Sequence, residues 1–414
     1  MQSGEHTPLV AAVVVPPQPI LRLAPLDLLR GVLMILMAID HAKGFLSNFV
    51  YPHEQWFEMP DYKGNVSHFL SRFVTGFCAP GFFMLMGWGV ALFVDSRRRI
   101  GWTSSAILKH FALRGTVLLL FNEITILPVM LPFYQTVGYF YVTTVLFSLE
   151  RVIRNVSACF HFGSSGSNKL TVALYVLTAV VLTMLPSLYT PAPDAVADTQ
   201  FSFLYLMWFL PRMVMTEPTS IVSLYPPFAW LAPTLWGVGI GRATKLFKWD
   251  ASRLGLINMV LALSMISLSV VLRYNVPWTS INPSLLDPPL QSSAISFFNN
   301  VKYPPSVVYI LTSLGGNHLL LGLLFFANPR NVNTEAGLLM VFGGSSLFFY
   351  VTHFFVYQGL ANVLLAAEAM PKEKFGWWAF WAWYAVGLVI EYYICKAYAR
   401  FKRSTSKDSL WRLF

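Results

Sequence analysis

Apolar residues along this chain are gathered into long, nearly continuous runs that recur from residue 28 to residue 399. A transmembrane helix needs about 20 such residues, whereas a strand of a membrane β-barrel shows about 10 residues of alternating polarity. The pattern therefore predicts an all-α, polytopic membrane protein with about ten transmembrane helices in one bundle. The predicted spans are Leu28–Val50, Phe69–Val94, Ile107–Leu127, Phe133–Leu149, Leu170–Leu188, Pro226–Gly241, Leu254–Val271, Pro305–Ala327, Leu338–Ala366 and Trp377–Ala399.

Two short segments flank these runs. The first residues lack the positively charged start of a cleavable signal peptide, so the first span is predicted to be an uncleaved anchor. We predict a disordered cytoplasmic N-terminal segment over residues 1–24, one transmembrane domain over residues 25–402 and a cytoplasmic C-terminal tail over residues 403–414.

The composition agrees with a membrane protein and explains the basic charge. Hydrophobic residues make up 56% of the chain and charged residues 12%, whereas a soluble domain carries about 25% charged residues. The net charge of +10 comes mainly from Lys and Arg on alternate loops. By the positive-inside rule, both termini lie in the cytoplasm, at a plasma membrane or an endomembrane. Since topology accounts for the charge, we predict the lipid bilayer as a partner and no nucleic acid.

The first span carries ionisable residues in a regular arrangement. Arg30 and His41 are eleven residues apart, which is about three helical turns, so they share a helix face roughly 16 Å apart. Asp27 lies one turn before Arg30, and Asp40 directly precedes His41. Charged groups inside a membrane are costly and indicate a functional site. The alternative is that Arg30 reaches the headgroups of one leaflet while Asp40 and His41 lie in the opposite interface.

Arg30 and His41 together suggest a ligand. A neutral imidazole beside a carboxylate is a suitable general base near neutral pH, and a guanidinium binds phosphate oxygens. A ligand that reaches both residues needs a phosphate-bearing head in the cytoplasm and a thin reactive arm in the membrane. Coenzyme A has this shape. Acetyl-CoA is therefore predicted as a co-substrate, with Asp27, Arg30 and Arg114 at its binding end.

The third predicted span adds polar residues near its outer end. Glu123 is predicted to orient His41 or to contact a substrate, unless it pairs with Arg72 or lies in the interface. Its neighbour Asn122 is a predicted substrate contact.

Two histidines lie within later spans. For His318 and His353, a satisfied hydrogen bond between helices is the favoured interpretation, with substrate binding by His353 as the functional one. The histidines and three cysteines show none of the spacings of a zinc site, so no metal is predicted.

Several strings in the chain resemble a known family. The opening LDLLRG at Leu26–Gly31 is followed by LMAIDH at Leu36–His41. Further matching strings occur in order at Ser71–Pro80, Tyr225–Trp230, Lys302–Ser306, Leu347–His353 and Cys395–Lys402. They resemble the DUF1624 group, which is related to heparan-α-glucosaminide N-acetyltransferase within a wider superfamily of transmembrane acyltransferases. The resemblance covers roughly residues 22–412.

This resemblance implies transfer of an acyl group from cytoplasmic acyl-CoA to an extracytoplasmic or lumenal acceptor. The acceptor is a glycan or small molecule with a sugar amine or hydroxyl, and a membrane-embedded histidine is the key residue. Related O-acyltransferases share the Arg30–His41 spacing. The heparan acetyltransferase instead has its histidine a few residues later before a Trp, as in His53 and Trp56. The catalytic candidates are therefore His41, which we prefer, His53, Asp40 and Glu123, with Trp56 as a substrate contact. A homodimer is left open.

One position departs from the resemblance. The branch that this chain most resembles usually carries a histidine where Gly76 stands. If that histidine takes part in the chemistry, this chain has lost activity or moved the role to His53 or His68. An inactive relative with a binding role is therefore one alternative to an acyltransferase. A membrane carrier for a small polar or glycan-like solute, with polar residues along its path, is the other.

Overall fold

The structure, a computed structural model, describes residues 23–51, 54–130, 139–143, 168–191, 205, 208–216, 219–223, 225–281, 293–327, 337–406, 409 and 411. Its α-helices in these ranges are α1 (Ala24–Leu46), α2 (Val66–Phe73), α3 (Cys78–Arg99), α4 (Ser104–Met130), α5 (Lys169–Tyr189), α6 (Pro227–Leu246), α7 (Ala251–Asn275), α8 (Ala294–Phe298), α9 (Val307–Phe326), α10 (Leu338–Gly344), α11 (Ser346–Ala366) and α12 (Trp377–Ser404). Short 3₁₀ helices span Val74–Phe77 and Pro277–Ser280, and the strands are β1 (Tyr139–Thr143), β2 (Arg212–Thr216) and β3 (Thr219–Ser223).

The described helices confirm the predicted class of an all-α membrane protein. Six helical segments in the described part of the chain are long and apolar enough to cross a membrane. They are Val66–Arg99, Ser104–Ile126, Lys169–Tyr189, Ala251–Asn275, Val307–Phe326 and Ser346–Ala366. The predicted count of ten is not confirmed. Helix α1 is long enough but falls outside this set because it carries Asp27, Arg30, Asp40 and Lys43.

The fourth predicted span, Phe133–Leu149, is not one continuous helix. Residues Tyr139–Thr143 within it form strand β1, and the rest of the predicted span lies outside the described residues. Strand β1 pairs in parallel with β3, which pairs antiparallel with β2. Aromatic and β-branched residues fill this segment, and these residue types favour strands. An apolar run of this length does not by itself distinguish a helix from a strand.

Two other predicted spans contain breaks. The second passes from α2 through the 3₁₀ turn Val74–Phe77 into α3, and the ninth is divided at Ser345 into α10 and α11. The paired glycines Gly343 and Gly344 precede the second break, and glycine is a poor helix former.

Glycines bring α1 into close contact with α10. A Cβ atom on Gly31 would overlap the backbone of α10, and a Cβ atom on Gly343 would overlap the carbonyl of Asp27. Helices α3 and α6 meet in the same way through Gly87 and Gly237. Small residues allow such backbone approach in membrane bundles. The position of α1, which carries the candidate chemistry, is therefore fixed by backbone-to-backbone packing.

We expect Gly343→Ala to destabilise the protein by about 1–3 kcal/mol, because the added methyl group must displace α1. Gly359→Ala on α11 is the matched control, since no heavy atom lies within 4 Å of its Cβ position. The melting temperature of the purified protein in detergent measures both effects. Equal melting temperatures for the two variants would contradict the close contact.

Loops cover the end of the helix bundle at which α1 ends, at Leu46. We call this the distal end, and we call the end at which α1 begins, at Ala24, the proximal end. The backbone N–H of Phe375 donates to the carbonyl of Leu46 over 2.9 Å, which ties α1 to the start of α12. The N–H groups of Lys302 and Tyr303 donate to the carbonyl of Glu54 over 2.9 and 3.0 Å. The loop after α1 therefore lies against the segment before α9.

Candidate functional site

His41 on α1 and His353 on α11 form a pair within the bundle. His41 Nδ1 lies 2.6 Å from His353 Nε2, and the two rings stack with centroids 4.9 Å apart. Phe354 also stacks on His41, with ring centroids 4.5 Å apart. The structure therefore brings together two of the residues that the sequence singled out on different spans.

The hydrogen bonds of His353 determine the tautomers of both rings. His353 Nδ1 lies 3.0 Å from the carbonyl oxygen of Phe349, which can only accept, so Nδ1 carries the proton. In the neutral ring, His353 Nε2 is then an acceptor, and His41 Nδ1 must donate to it. The lone pair of His41 consequently lies on its Nε2. This is the arrangement of a general base whose other nitrogen is fixed by a hydrogen bond.

His318 on α9 has a different environment. Trp236 Nε1 donates to His318 Nε2 over 2.9 Å, and His318 Nδ1 donates to Asn258 Oδ1 over 2.7 Å. Both ring nitrogens are therefore used in contacts between helices. The prediction of a satisfied interhelical hydrogen bond is confirmed for this residue.

Asp40 belongs to a buried network of ion pairs. Arg72 and Thr75 donate to the same carboxylate oxygen of Asp40, with Thr75 Oγ1 at 2.6 Å. Lys43 Nζ lies 3.4 Å from the other oxygen. Arg72 also donates to both carboxylate oxygens of Glu54, over 2.6 and 2.7 Å. These five residues are called the Arg72 network below. Within it the Asp40 carboxylate holds Arg72, while His353 is the residue that orients His41.

Glu54 lies in the loop beyond α1, where two effects act on its pKa. Burial raises the pKa of Glu54. Attraction to Arg72 and the two hydrogen bonds lower it by a larger amount, so the pKa lies below its usual value. Glu54 is therefore ionised at neutral pH and balances the charge of Arg72.

A group of arginines lies toward the proximal end. Arg30 Nη1 donates to Asp27 Oδ1 over 2.5 Å, and Arg114 on α4 lies within electrostatic reach of Arg30. Arg97 and Arg114 both act electrostatically on His110. The buried Nε atoms of Arg97 and Arg114 have no hydrogen-bond partner among the described residues. We call Arg30, Arg97 and Arg114 the proximal cationic cluster. Asp27 pairs with the Arg30 of this cluster, so the three residues predicted at the CoA-binding end, Asp27, Arg30 and Arg114, lie together.

The remaining predicted residues lie elsewhere. Trp56 is fully buried in a small apolar core of the distal loops. Its other members are Leu210, Ile281 and Val301. Asn122 is buried on α4, where its Nδ2 donates to Glu123 Oε1 over 3.0 Å. His53 lies outside the described residues. Within the described ranges, no group of three or more His, Cys, Asp or Glu side chains could hold a metal ion.

Glu391 on α12 is a buried acid that the sequence reasoning missed. Its side chain is fully buried, and its Oε2 accepts a hydrogen bond from Thr352 Oγ1 over 2.9 Å. Its Oε1 has no hydrogen-bond partner in the part of the chain that the structure describes. Thr352 directly precedes His353, so this contact ties α12 to the turn of α11 that carries His353. Glu391 is the only acid in the tenth predicted span, and this was the signal available in the sequence.

A small pocket with a volume of about 30 Å³ opens beside the Arg72 network. Its lining includes Arg72, Gly76, Asn300 and Lys302. A Cβ atom built on Gly76 would meet only Tyr309, at 3.6 Å, which is an ordinary van der Waals distance. Gly76 therefore forms an open part of the pocket wall.

Comparison with known families gives a match over the first part of the chain. The family model described as heparan-alpha-glucosaminide N-acetyltransferase, catalytic, matches residues 22–276, which is more than half of the 414 residues. A comparison with curated proteins found no match. The matched segment begins just before α1 and ends just after α7. It includes Arg30, His41 and Arg72, while His353 lies beyond it. The chain therefore belongs to the heparan-α-glucosaminide N-acetyltransferase catalytic family, and this family together with the apolar helices indicates a membrane acetyltransferase.

Proposed function

We propose that this protein transfers an acyl group, acetyl in the simplest case, from cytoplasmic acyl-CoA to an extracytoplasmic or lumenal acceptor. The acceptor provides an amine or a hydroxyl, as a sugar does. The hydrogen-bonded pair His41–His353 carries the proposal, because it leaves a basic nitrogen on His41 within the bundle. The family match supports acetyl transfer as the reaction class.

His41 would act as the base of this transfer. The acceptor amine or hydroxyl attacks the thioester carbonyl and gives its proton to His41 Nε2. The bond from the carbonyl carbon to sulfur then breaks, and the proton passes from His41 to the departing sulfur of CoA. His353 Nε2 accepts from His41 Nδ1 throughout. This hydrogen bond keeps the ring in place and stabilises the imidazolium that forms.

The proximal cationic cluster supports a binding end for the phosphates of CoA. Guanidinium groups bind phosphate oxygens through paired hydrogen bonds, and two of these guanidinium groups have unused buried donors. The separation from Arg30 to His41 is roughly 16 Å along α1, which an extended pantetheine arm can span. The thioester would then lie near His41 while the nucleotide remains at the proximal end.

We expect Arg30→Gln to raise the KM for acetyl-CoA roughly 10-fold while kcat changes little, because a charge-assisted hydrogen bond to phosphate is lost. Steady-state kinetics of the purified protein measures both constants. Arg99→Gln is the matched control, since Arg99 is exposed at the same end and pairs only with Asp95 in the described residues. An unchanged KM in Arg30→Gln would show that Arg30 does not bind the phosphates of acetyl-CoA and only pairs with Asp27.

His353 should act as a positioning residue rather than a base. We expect His353→Ala to lower kcat roughly 10-fold with little change in the KM for acetyl-CoA, the effect of one hydrogen bond worth about 1.5 kcal/mol. His353→Gln should recover part of the activity, because its amide oxygen can accept from His41 Nδ1. If the two variants have the same kcat, the orienting hydrogen bond is not what His353 contributes.

The direct test is consumption of acetyl-CoA by the purified protein, measured as release of the CoA thiol. Two sugars serve as acceptors. Glucosamine offers an amine as well as hydroxyls, whereas glucose offers hydroxyls alone. We expect thiol release that depends on an acceptor, with acetylated sugar as the second product. Uptake of glucosamine into proteoliposomes without thiol release would instead favour the carrier. Binding of acetyl-CoA without turnover would favour an inactive relative.

A further inference from the structure

A short motif at the distal end has no role in the proposed function. Asn65, Val66 and Ser67 form the tripeptide Asn-x-Ser. This tripeptide is the acceptor signal for N-linked glycosylation when its middle residue is not proline. A signal of three residues is common, so its surroundings in the fold determine whether a transferase could reach and modify it.

Asn65 lies in an exposed turn of the loop between α1 and α2. Residues 63–67 are all exposed. Lys63 and Gly64 have positive φ angles of 47° and 75°, and a Cβ atom built on Gly64 would meet no heavy atom within 4 Å. The chain therefore turns tightly just before Asn65, with open space beside it. Exposed loop tips of this kind are the parts of a fold that enzymes reach most easily.

The side-chain amide of Asn65 has its oxygen in use and its nitrogen available. Oδ1 accepts from the backbone N–H of His68 over 3.1 Å and from Ser67 Oγ over 2.8 Å, so Asn65 is the N-cap of α2. Nδ2 donates no hydrogen bond to another residue in the described part of the chain. N-linked glycosylation attaches the sugar to Nδ2 and leaves Oδ1 unchanged. A glycan on Asn65 is therefore compatible with the helix cap.

Asn65 also lies beyond the part of its helical segment that crosses the membrane. The segment Val66–Arg99 comprises α2, a 3₁₀ turn and α3. A helix crosses the hydrocarbon with about 20 residues, so the crossing part, counted back from Arg97, ends near Phe77. Asn65 precedes Phe77 by 12 residues. It is therefore on the distal side of the hydrocarbon.

The same tripeptide occurs a second time and provides an internal comparison. Residues 155–157 repeat Asn-Val-Ser directly after Arg154, outside the described residues. The positive-inside rule predicts that this basic loop lies in the cytoplasm and that the loop with Asn65 lies on the opposite side. The remaining Asn-x-Ser string, at residues 282–284, has proline in the middle, which excludes it as a signal.

We propose that Asn65 carries an N-linked glycan and that the distal end faces the lumen of the secretory pathway during synthesis. An oligosaccharyltransferase moves the sugar chain from a lipid diphosphate donor. A bond forms between Asn65 Nδ2 and C1 of the first sugar, and the bond from C1 to the diphosphate oxygen breaks. The lipid diphosphate leaves, and the proton lost from Nδ2 is released. This inference does not depend on acyl transfer.

The test is the state of Asn65 in the full-length protein isolated from membranes of a eukaryotic cell. Peptide-N-glycosidase converts a glycosylated asparagine to aspartate, which takes up heavy oxygen from labelled water and is detected by mass spectrometry. We expect label at position 65 and none at position 155. Unmodified Asn65, in cells that glycosylate a co-expressed secreted control protein, would overturn the proposal. A glycan on Asn155 instead of Asn65 would also overturn it, since the orientation would be reversed.

Variants assign the glycan to this tripeptide. Asn65→Gln and Ser67→Ala should both abolish the change in electrophoretic mobility on digestion, because the signal needs the amide and the hydroxyl. Ser67→Thr keeps the hydroxyl and should keep the change. Asn155→Gln is the matched control and should migrate like wild type before and after digestion. A mobility change that persists in Asn65→Gln would contradict the assignment.

This inference and the proposed function fail separately. Asn65→Gln should keep the kcat of wild type for acetyl transfer, because Asn65 is far from the histidine pair along α1 and makes no contact with it. A glycan on Asn65 in a protein without acetyl transfer would keep this inference and overturn the proposed function. Acetyl transfer by wild-type protein with unmodified Asn65 would do the reverse.

Discussion

Replacement of His41 by Ala should lower kcat for acyl transfer roughly 100- to 10,000-fold, the range that a general base supplies. The variant removes the Nε2 lone pair that takes the acceptor proton. The KM for acetyl-CoA should change little, because the proximal cationic cluster is untouched. Thiol release from acetyl-CoA, compared at equal concentrations of folded wild type and variant, measures the loss.

His318 provides the matched control for this substitution. It is a buried histidine on a membrane helix, and both of its ring nitrogens are used in structural hydrogen bonds. His318→Gln should therefore lower the melting temperature but leave the pH dependence of kcat unchanged.

His53 tests the alternative base. If His41→Ala keeps near wild-type turnover while His53→Ala abolishes it, the loop histidine is the base.

Arg72→Gln should cause the largest loss of stability, about 3–5 kcal/mol, because it leaves two buried carboxylates without their main partner. Arg72 makes three of the hydrogen bonds that hold Asp40 and Glu54. Its loss would separate the loop after α1 from the 3₁₀ turn that carries Gly76. The melting temperature and the yield of monodisperse protein in detergent measure the effect.

Arg99→Gln again serves as the matched control. Arg99 forms an exposed ion pair with Asp95 on the same helix, and such pairs contribute about 0–1 kcal/mol. A charge-balanced variant, Arg72→Gln with Glu54→Gln, should recover part of the stability. Similar melting temperatures for Arg72→Gln and Arg99→Gln would show that the network does not stabilise the fold.

The helices could be predicted from the sequence because each long apolar run must satisfy its own backbone hydrogen bonds within the membrane. This rule identified α1, α5 and α9 close to their observed positions. It was wrong for the fourth span, because an apolar run rich in aromatic and β-branched residues suits strand β1 equally well.

The candidate site was only partly predictable for a similar reason. Helical periodicity placed Arg30 and His41 on one face of α1. Adjacent helix positions point about 100° apart, so Asp40 faces Arg72 while His41 faces His353. That second contact joins residues 312 positions apart and depends on the glycine-mediated packing of α1 against α10. No local pattern in the sequence contains this information.

The most direct measurement of the central claim is acetyl transfer across a sealed membrane. Proteoliposomes with the proximal end outward would receive acetyl-labelled CoA outside and hold glucosamine inside. The account predicts label on the enclosed glucosamine with wild-type protein and none with His41→Ala. Label that stays on CoA, or that reaches only an acceptor on the donor side, would contradict transmembrane acyl transfer with His41 as its base.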